Sequence, residues 1–82
     1  MSVDERWYVY VVRCSDDTLY TGVTIDIDRR LYAHNSGKGA RYTTPRIPVT
    51  LHYIEGPMTQ SDALRREREI KGLSRADKTG LS

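Results

Sequence analysis

No run of apolar residues in this sequence approaches the length of a membrane-spanning helix, so no span is expected. No basic stretch followed by an apolar one opens the chain, and no secretory leader is expected. Cysteine is nearly absent. Cys14 stands alone, which excludes an intrachain disulfide and a cysteine metal cage. It ends an apolar stretch, where a buried thiol is the simple reading, and a reducing cytoplasm is the expected setting. Acidic residues are missing from one long segment: between Arg29 and Ile54 there is no Asp or Glu, while Arg29, Arg30, Lys38, Arg41, Arg46, His34 and His52 all fall there. The net charge is only +2, so a segment of one sign marks a face for polyanions, with a solvated basic surface as the competing reading. Internal repeats and low-complexity tracts are absent too.

What is present fits one small domain spanning residues 1–82, with a core of about 7–78. A chain of this length buries roughly 60% of its unfolded surface, so few polar groups are expected inside. An apolar content of 38% and a charged content of 29% agree with a globular domain.

Residues 1–5 are polar and read as a loose segment. Trp7 to Arg13 is dense in β-branched and aromatic residues and predicts a strand, the central one. Ser15 to Thr18 is turn chemistry, and Leu19 to Val23 is the returning strand of an antiparallel hairpin. Opposed residues of such a pair share a face. Tyr10 and Tyr20 therefore meet only if paired numbers sum to an even value, which excludes a plain two-residue loop. Thr24 or Asp26 caps a helix over Ile27 to Asn35 that stops at Ser36-Gly37. Ile27, Leu31 and His34 share one arc of it, with Arg30 at the edge, so an inward face that begins apolar ends in cations.

Residues 37–46 form a loop rich in Gly, hydroxyl groups and cations, suited to a phosphate backbone but lacking the spacing of a Walker loop. Val49 to Ile54 predicts a third strand ended by Gly56-Pro57. Thr59 opens a second helix that runs to about Gly72, and Ser74 caps a short third one. On the second helix Ala63, Leu64, Ile70 and the stem of Lys71 share an arc with Glu67 at its centre, whereas Glu69 lies opposite, among arginines. A carboxylate in an apolar stripe costs several kcal/mol unless it is paired or bound to a metal. Glu67 therefore asks for a partner.

The order Tyr8-Val9-Tyr10, then Tyr20-Thr21-Gly22, Arg30, His34 and a helical Glu67 resembles the GIY-YIG nuclease superfamily, and within it the small single-domain bacterial members. YTGVT at 20–24, HNSGKGARYT at 34–43 and the helix at 63–73 carry the likeness across nearly the whole chain. Tyr8 and Val9 replace the Gly and Ile of the first triplet, and Val23 stands where some members carry a Lys. The resemblance implies an α+β fold, a three-stranded antiparallel sheet flanked by helices in the order ββαβα plus a short C-terminal helix. It implies metal-dependent phosphodiester hydrolysis, and the leading reading is an endonuclease acting on DNA with DNA repair as a setting. That enzyme is expected to be structure-selective rather than sequence-specific, because so small a chain lacks room for a separate sequence-reading domain. Glu67 would bind one divalent metal, Mg²⁺ or Mn²⁺, and Tyr10 or Tyr20 would take a proton from the attacking water. Arg30 would stabilise the phosphate charge, and His34 would hydrogen-bond a tyrosine or the phosphate. Lys38, Arg41, Tyr42, Thr43 and Arg46 would contact nucleic acid.

A free phenol, with a pKa of about 10, is a poor base at neutral pH. The mechanism thus needs Arg30, His34 and the metal to lower it. Two other readings compete: a nucleic-acid-binding module with weak or lost chemistry that acts with a partner protein, and an adaptor using the sheet edge. Each residue also has a plainer role. The tyrosines fit cross-strand packing, Arg30 a surface cation, His34 a helix C-terminus, and Glu67 an ion pair with Lys71 or Arg30.

Overall fold

The computed structural model describes residues 4–81, so the first three residues of the segment read as loose lie outside the described part. Strand β1 (Trp7–Arg13) is followed by β2 (Leu19–Thr24), helix α1 (Ile27–Asn35), a 3₁₀ turn at Thr44–Arg46, β3 (Thr50–Met58), α2 (Gln60–Lys71) and α3 (Arg75–Thr79). The sheet is antiparallel in the order β2-β1-β3, giving the α+β arrangement expected from the sequence.

β1 is central because it pairs with β2 on one edge and β3 on the other. Both its faces are covered, so four apolar residues in a row, Val9 to Val12, are all fully buried. Val9 and Val11 point to one side and pack with Ala63 and Ile70 of α2. Tyr10 and Val12 point to the other and pack with Cys14 and Val49, under Ile27 and Leu31 of α1. Each buried valine contributes about 1.5–3 kcal/mol of hydrophobic stabilisation. The helices start where their caps are: Asp26 accepts from the Arg29 N–H, Thr59 from the Asp62 N–H and Ser74 from the Asp77 N–H.

Two expectations need correction. β3 runs through Gly56-Pro57 to Met58, because the strand bulges there and keeps its pairing beyond. Gly56 has φ +135°, and a Cβ on it would lie 2.8 Å from the Trp7 carbonyl oxygen, so only glycine carries the strand through this bulge. Pro57 is tolerated because β3 is an edge strand. The apolar arc of α2 is also narrower than expected: Leu64 is exposed, and Lys71 is more than half exposed. The buried line is Ala63 and Ile70, with Glu67 between them at 20% side-chain exposure.

A second bulge places His52 out of register between Tyr53 and Leu51. Its Nε2 lies 3.2 Å from the Lys78 carbonyl and 3.1 Å from that of Thr79, so this nitrogen carries the proton and ties α3 to the sheet. Among the described residues no helix is long and apolar enough to cross a membrane.

Candidate active site

The two tyrosines meet because the hairpin turn is odd. The Asp17 N–H donates to the Cys14 carbonyl and the Cys14 N–H to Thr18, closing a loop over residues 15–17 with Asp17 at φ +69°. Tyr10 then stands opposite Gly22 and Val12 opposite Tyr20, so both tyrosines lie on the α1 side. Gly22 leaves room for this. A Cβ there would sit 2.5 Å from the Tyr10 hydroxyl oxygen.

Helix spacing puts Arg30 and His34 over the same spot. Arg30 Nε donates to the Tyr10 hydroxyl at 3.2 Å, and that hydroxyl lies 2.9 Å from His34 Nε2. On the other side of the ring, His34 Nδ1 lies 2.7 Å from Thr43 Oγ1, which donates to the Ala40 carbonyl at 3.0 Å. Tyr10, His34 and Thr43 are all fully buried. The loop closes this tightly only over glycine, since a Cβ on residue 39 would collide with His34 Nδ1.

Proton counting fixes the direction of this chain of hydrogen bonds. The Thr43 hydroxyl has one proton and gives it to Ala40, so it accepts from His34 Nδ1–H. Nε2 is then bare and accepts from Tyr10, whose oxygen accepts from Arg30. The opposite tautomer would aim both Arg30 and His34 protons at Tyr10 and leave its own proton without a partner. A fully buried hydroxyl proton with no acceptor is costly, which favours the first arrangement.

Burial, followed by the nearby Arg30 charge, lowers the His34 pKa and keeps the ring neutral. Tyr10 goes the other way from the expectation. Burial raises its pKa, Arg30 pulls it down, Tyr20 and Glu67 add to the rise, and the net direction is up. These surroundings disfavour the phenolate.

Tyr20 is half-buried with its ring edge-on to His34 at 5.6 Å, and Tyr42 stacks on it at 5.9 Å. The Arg46 guanidinium lies 4.1 Å from the Tyr42 ring centre, donates to the Tyr42 carbonyl, and pairs with Asp16 of the hairpin turn at 2.9 Å. These contacts fasten the loop to the hairpin. Lys38 and Arg41 are exposed and make no ion pair among the described residues. Thr43 departs from its expected place at a phosphate-facing surface: it is inside, and its hydroxyl is spent on His34 and Ala40.

Glu67 belongs to the helix on the opposite face, yet its charge reaches the Tyr10 phenol. It pairs with Lys71 at 3.4 Å and does not point into bulk solvent. Among the described residues no group of three metal-ligating side chains occurs. A lone carboxylate fits an ion that keeps most of its water, such as Mg²⁺, and does not fit a dehydrated protein cage. One neighbour on α2 also escaped the sequence reading. Arg66 Nε donates to Glu55 at 3.2 Å, Glu55 accepts from the Tyr53 hydroxyl at 2.7 Å, and together they fix the helix against β3. Asn35 was missed as well; its amide pairs with both backbone groups of Val49 and ties the end of α1 to the start of β3.

The profile of the GIY-YIG catalytic domain matches residues 6–80. A UPF0213 protein of Halobacterium salinarum is 54% identical over 90% of this chain and 96% of its own. Another from Staphylococcus haemolyticus is 52% identical over 89% of each. The solution structure of a UPF0213 protein from Bacillus halodurans superposes with a TM-score of 0.55 at 46% identity, covering 88% of this chain and 77% of that one. A solution structure from E. faecalis reaches a TM-score of 0.61 at 38% identity, covering 96% and 84%. With its hairpin tyrosines, helical Arg30 and His34 and inward Glu67 set in a ββαβα frame, the chain belongs to the GIY-YIG catalytic domain family.

Proposed function

We propose that the protein hydrolyses phosphodiester bonds of DNA with the help of one divalent ion, Mg²⁺ or Mn²⁺, and selects its substrate by strand structure. The observation that carries this reading is the hydrogen-bonded chain from Arg30 through Tyr10 to His34 and Thr43, with Arg30, His34 and Thr43 drawn from a segment free of acids. A buried polar chain of this kind is costly to build in so small a domain and serves poorly as mere packing.

In this mechanism Arg30 binds the scissile phosphate and holds the charge that grows on it in the transition state. The water oxygen bonds to phosphorus as the ester P–O bond breaks. A proton leaves the water for the Tyr10 oxygen as the Tyr10 proton moves to His34 Nε2. The relay removes the difficulty of the phenol: the proton ends on an imidazole, and no free phenolate is needed. Nδ1–H stays on Thr43, which keeps Nε2 the accepting nitrogen. Tyr20, partly exposed beside His34, holds the water or a phosphate oxygen. Glu67 would hold the ion, whose positive charge would assist the departing oxygen. Tyr10 lies fully buried beside Arg30, so substrate must draw Arg30 outward before water reaches the phenol. Lys38 and Arg41 would meet the backbone as exposed cations, with Tyr42 and Arg46 at the rim. A reducing cytoplasm is the proposed setting, where Cys14 remains a thiol.

Incubating branched, nicked and single-stranded DNA with the protein and Mg²⁺ or Mn²⁺ tests the reading. Cleavage of at least one, slowed about 10²–10³-fold in Arg30→Ala and in Glu67→Ala, is the expected result. No cleavage of any, with the ion bound, contradicts it. The complete burial of Tyr10 favours one alternative, a binding module without efficient chemistry. That alternative gives salt-sensitive DNA binding that Glu67→Ala leaves intact.

A further inference from the structure

A cavity of about 350 Å³ opens where the chain turns from β2 into α1, lined by Thr24, Ile25, Asp26, Arg29, Arg30 and Ala33. Arg30 serves both sides of this wall, since it lines the cavity and its Nε donates to Tyr10. A group in the cavity therefore sits next to whatever Arg30 holds.

The lining carries three kinds of chemistry. Arg29 and Arg30 supply guanidinium groups with no carboxylate partner among the described residues. Ile25, 46% exposed despite its size, forms an apolar wall with Ala33. Asp26 caps α1 through Oδ1, which leaves Oδ2 to accept a hydrogen bond. A bare anion site has no use for the isoleucine or the carboxylate. Cations for a phosphate, an apolar wall for a ring and an acceptor for an amino group together match one nucleotide. The volume is near the lower end of ligand pockets, roughly 300–1,000 Å³, with room for a single nucleotide and not for a base pair.

We infer that this cavity takes the nucleotide flanking the scissile phosphate, turned out of any duplex. The inference rests on the phosphodiesterase reading and sharpens it: the cut falls beside an unpaired nucleotide, and selection by strand structure arises from a pocket too small for a pair. Asp26 favours bases with an exocyclic amino group, adenine, cytosine or guanine, over thymine, whose N3–H donor lies between two carbonyl oxygens that repel a carboxylate.

The test uses the ¹⁵N-labelled full chain without divalent ion, titrated with the 3′,5′-bisphosphates of deoxycytidine and deoxythymidine, and with inorganic phosphate. Amide shifts concentrated at residues 24–33, with the cytidine compound binding more tightly than the thymidine one and far more tightly than phosphate, are expected. Ala33→Leu, which fills the cavity, weakens binding about tenfold or more. Ile25→Asp, at an exposed position, does the same if Ala33→Leu does not fold. Shifts centred elsewhere, phosphate binding as well as the nucleotides, or wild-type affinity in the folded variant overturn the inference. Cleavage separates the two claims. An active Ala33→Leu enzyme with wild-type KM for gapped DNA refutes the cavity alone. Nucleotide binding here with no DNA cut under any condition refutes the phosphodiesterase alone.

Discussion

The two faces of the central strand are built on opposite principles. Toward α2, Val9 and Val11 meet Ala63 and Ile70 in a mainly apolar core, with Thr21 buried opposite Val11 and Glu67 enclosed between Ala63 and Ile70. Toward α1, Tyr10 and Val12 lie under a helix whose inward residues change from Ile27 and Leu31 to His34, and the buried layer becomes a closed chain of hydrogen bonds. One strand supplies both, because alternate residues face opposite ways. The apolar face holds the domain together. The hydrogen-bonded face is tolerated because each buried polar group has a partner, and it is more vulnerable for that reason: removing one partner strands the next.

The largest expected effect lies in chemistry and not in stability. Arg30→Ala and Glu67→Ala should each lower the cleavage rate by about 10²–10³-fold while thermal melting shows the fold retained. A loss in the first without the second would assign the reaction to the α1 face alone. Next comes Gly39→Ala. Its Cβ would crowd both His34 Nδ1 and Cα, and a stability loss of about 1–3 kcal/mol in denaturant titration is expected.

Thr43→Val should cost about 1–3 kcal/mol by stranding Nδ1–H, and Thr43→Ser should restore most of it. If valine and serine behave alike, Thr43 matters only as volume. Acid separates the faces more gently. The folded His34 has a lowered pKa, so its share of stability is present above the unfolded value of about 6.5 and is lost as pH falls through the folded value. The acid limb of cleavage should fall below that same ordinary value, and His34→Gln should remove the histidine part of the stability change. The smallest effects belong to the rim. Lys38→Ala or Arg41→Ala should each reduce the salt slope of DNA binding by about 1, without sequence preference.

The elements were legible in the sequence because their signals are local. Asp26, Thr59 and Ser74 cap the helices, Gly37 at φ +76° follows the end of α1, and β-branched runs make the strands. The shared face of Tyr10 and Tyr20 was legible too, since parity alone decides it. The length of β3 was not, because Gly56-Pro57 reads as a terminator and only pairing with Trp7 carries the strand past it. Within the site, Arg30 and His34 were visible through helical spacing. The inward turn of Thr43 was hidden: a hydroxyl among cations reads as a phosphate contact, and only loop closure over Gly39 directs it to the imidazole. The rise in the Tyr10 pKa was equally out of reach, because it depends on how deeply the phenol is buried.

The central claim is that protons on the α1 face run from Tyr10 to His34 and on toward Thr43. Nitrogen NMR of His34 in the folded protein at neutral pH reads this directly. The account predicts a neutral ring protonated at Nδ1 with a bare Nε2; protonation at Nε2, or a charged ring, would contradict it.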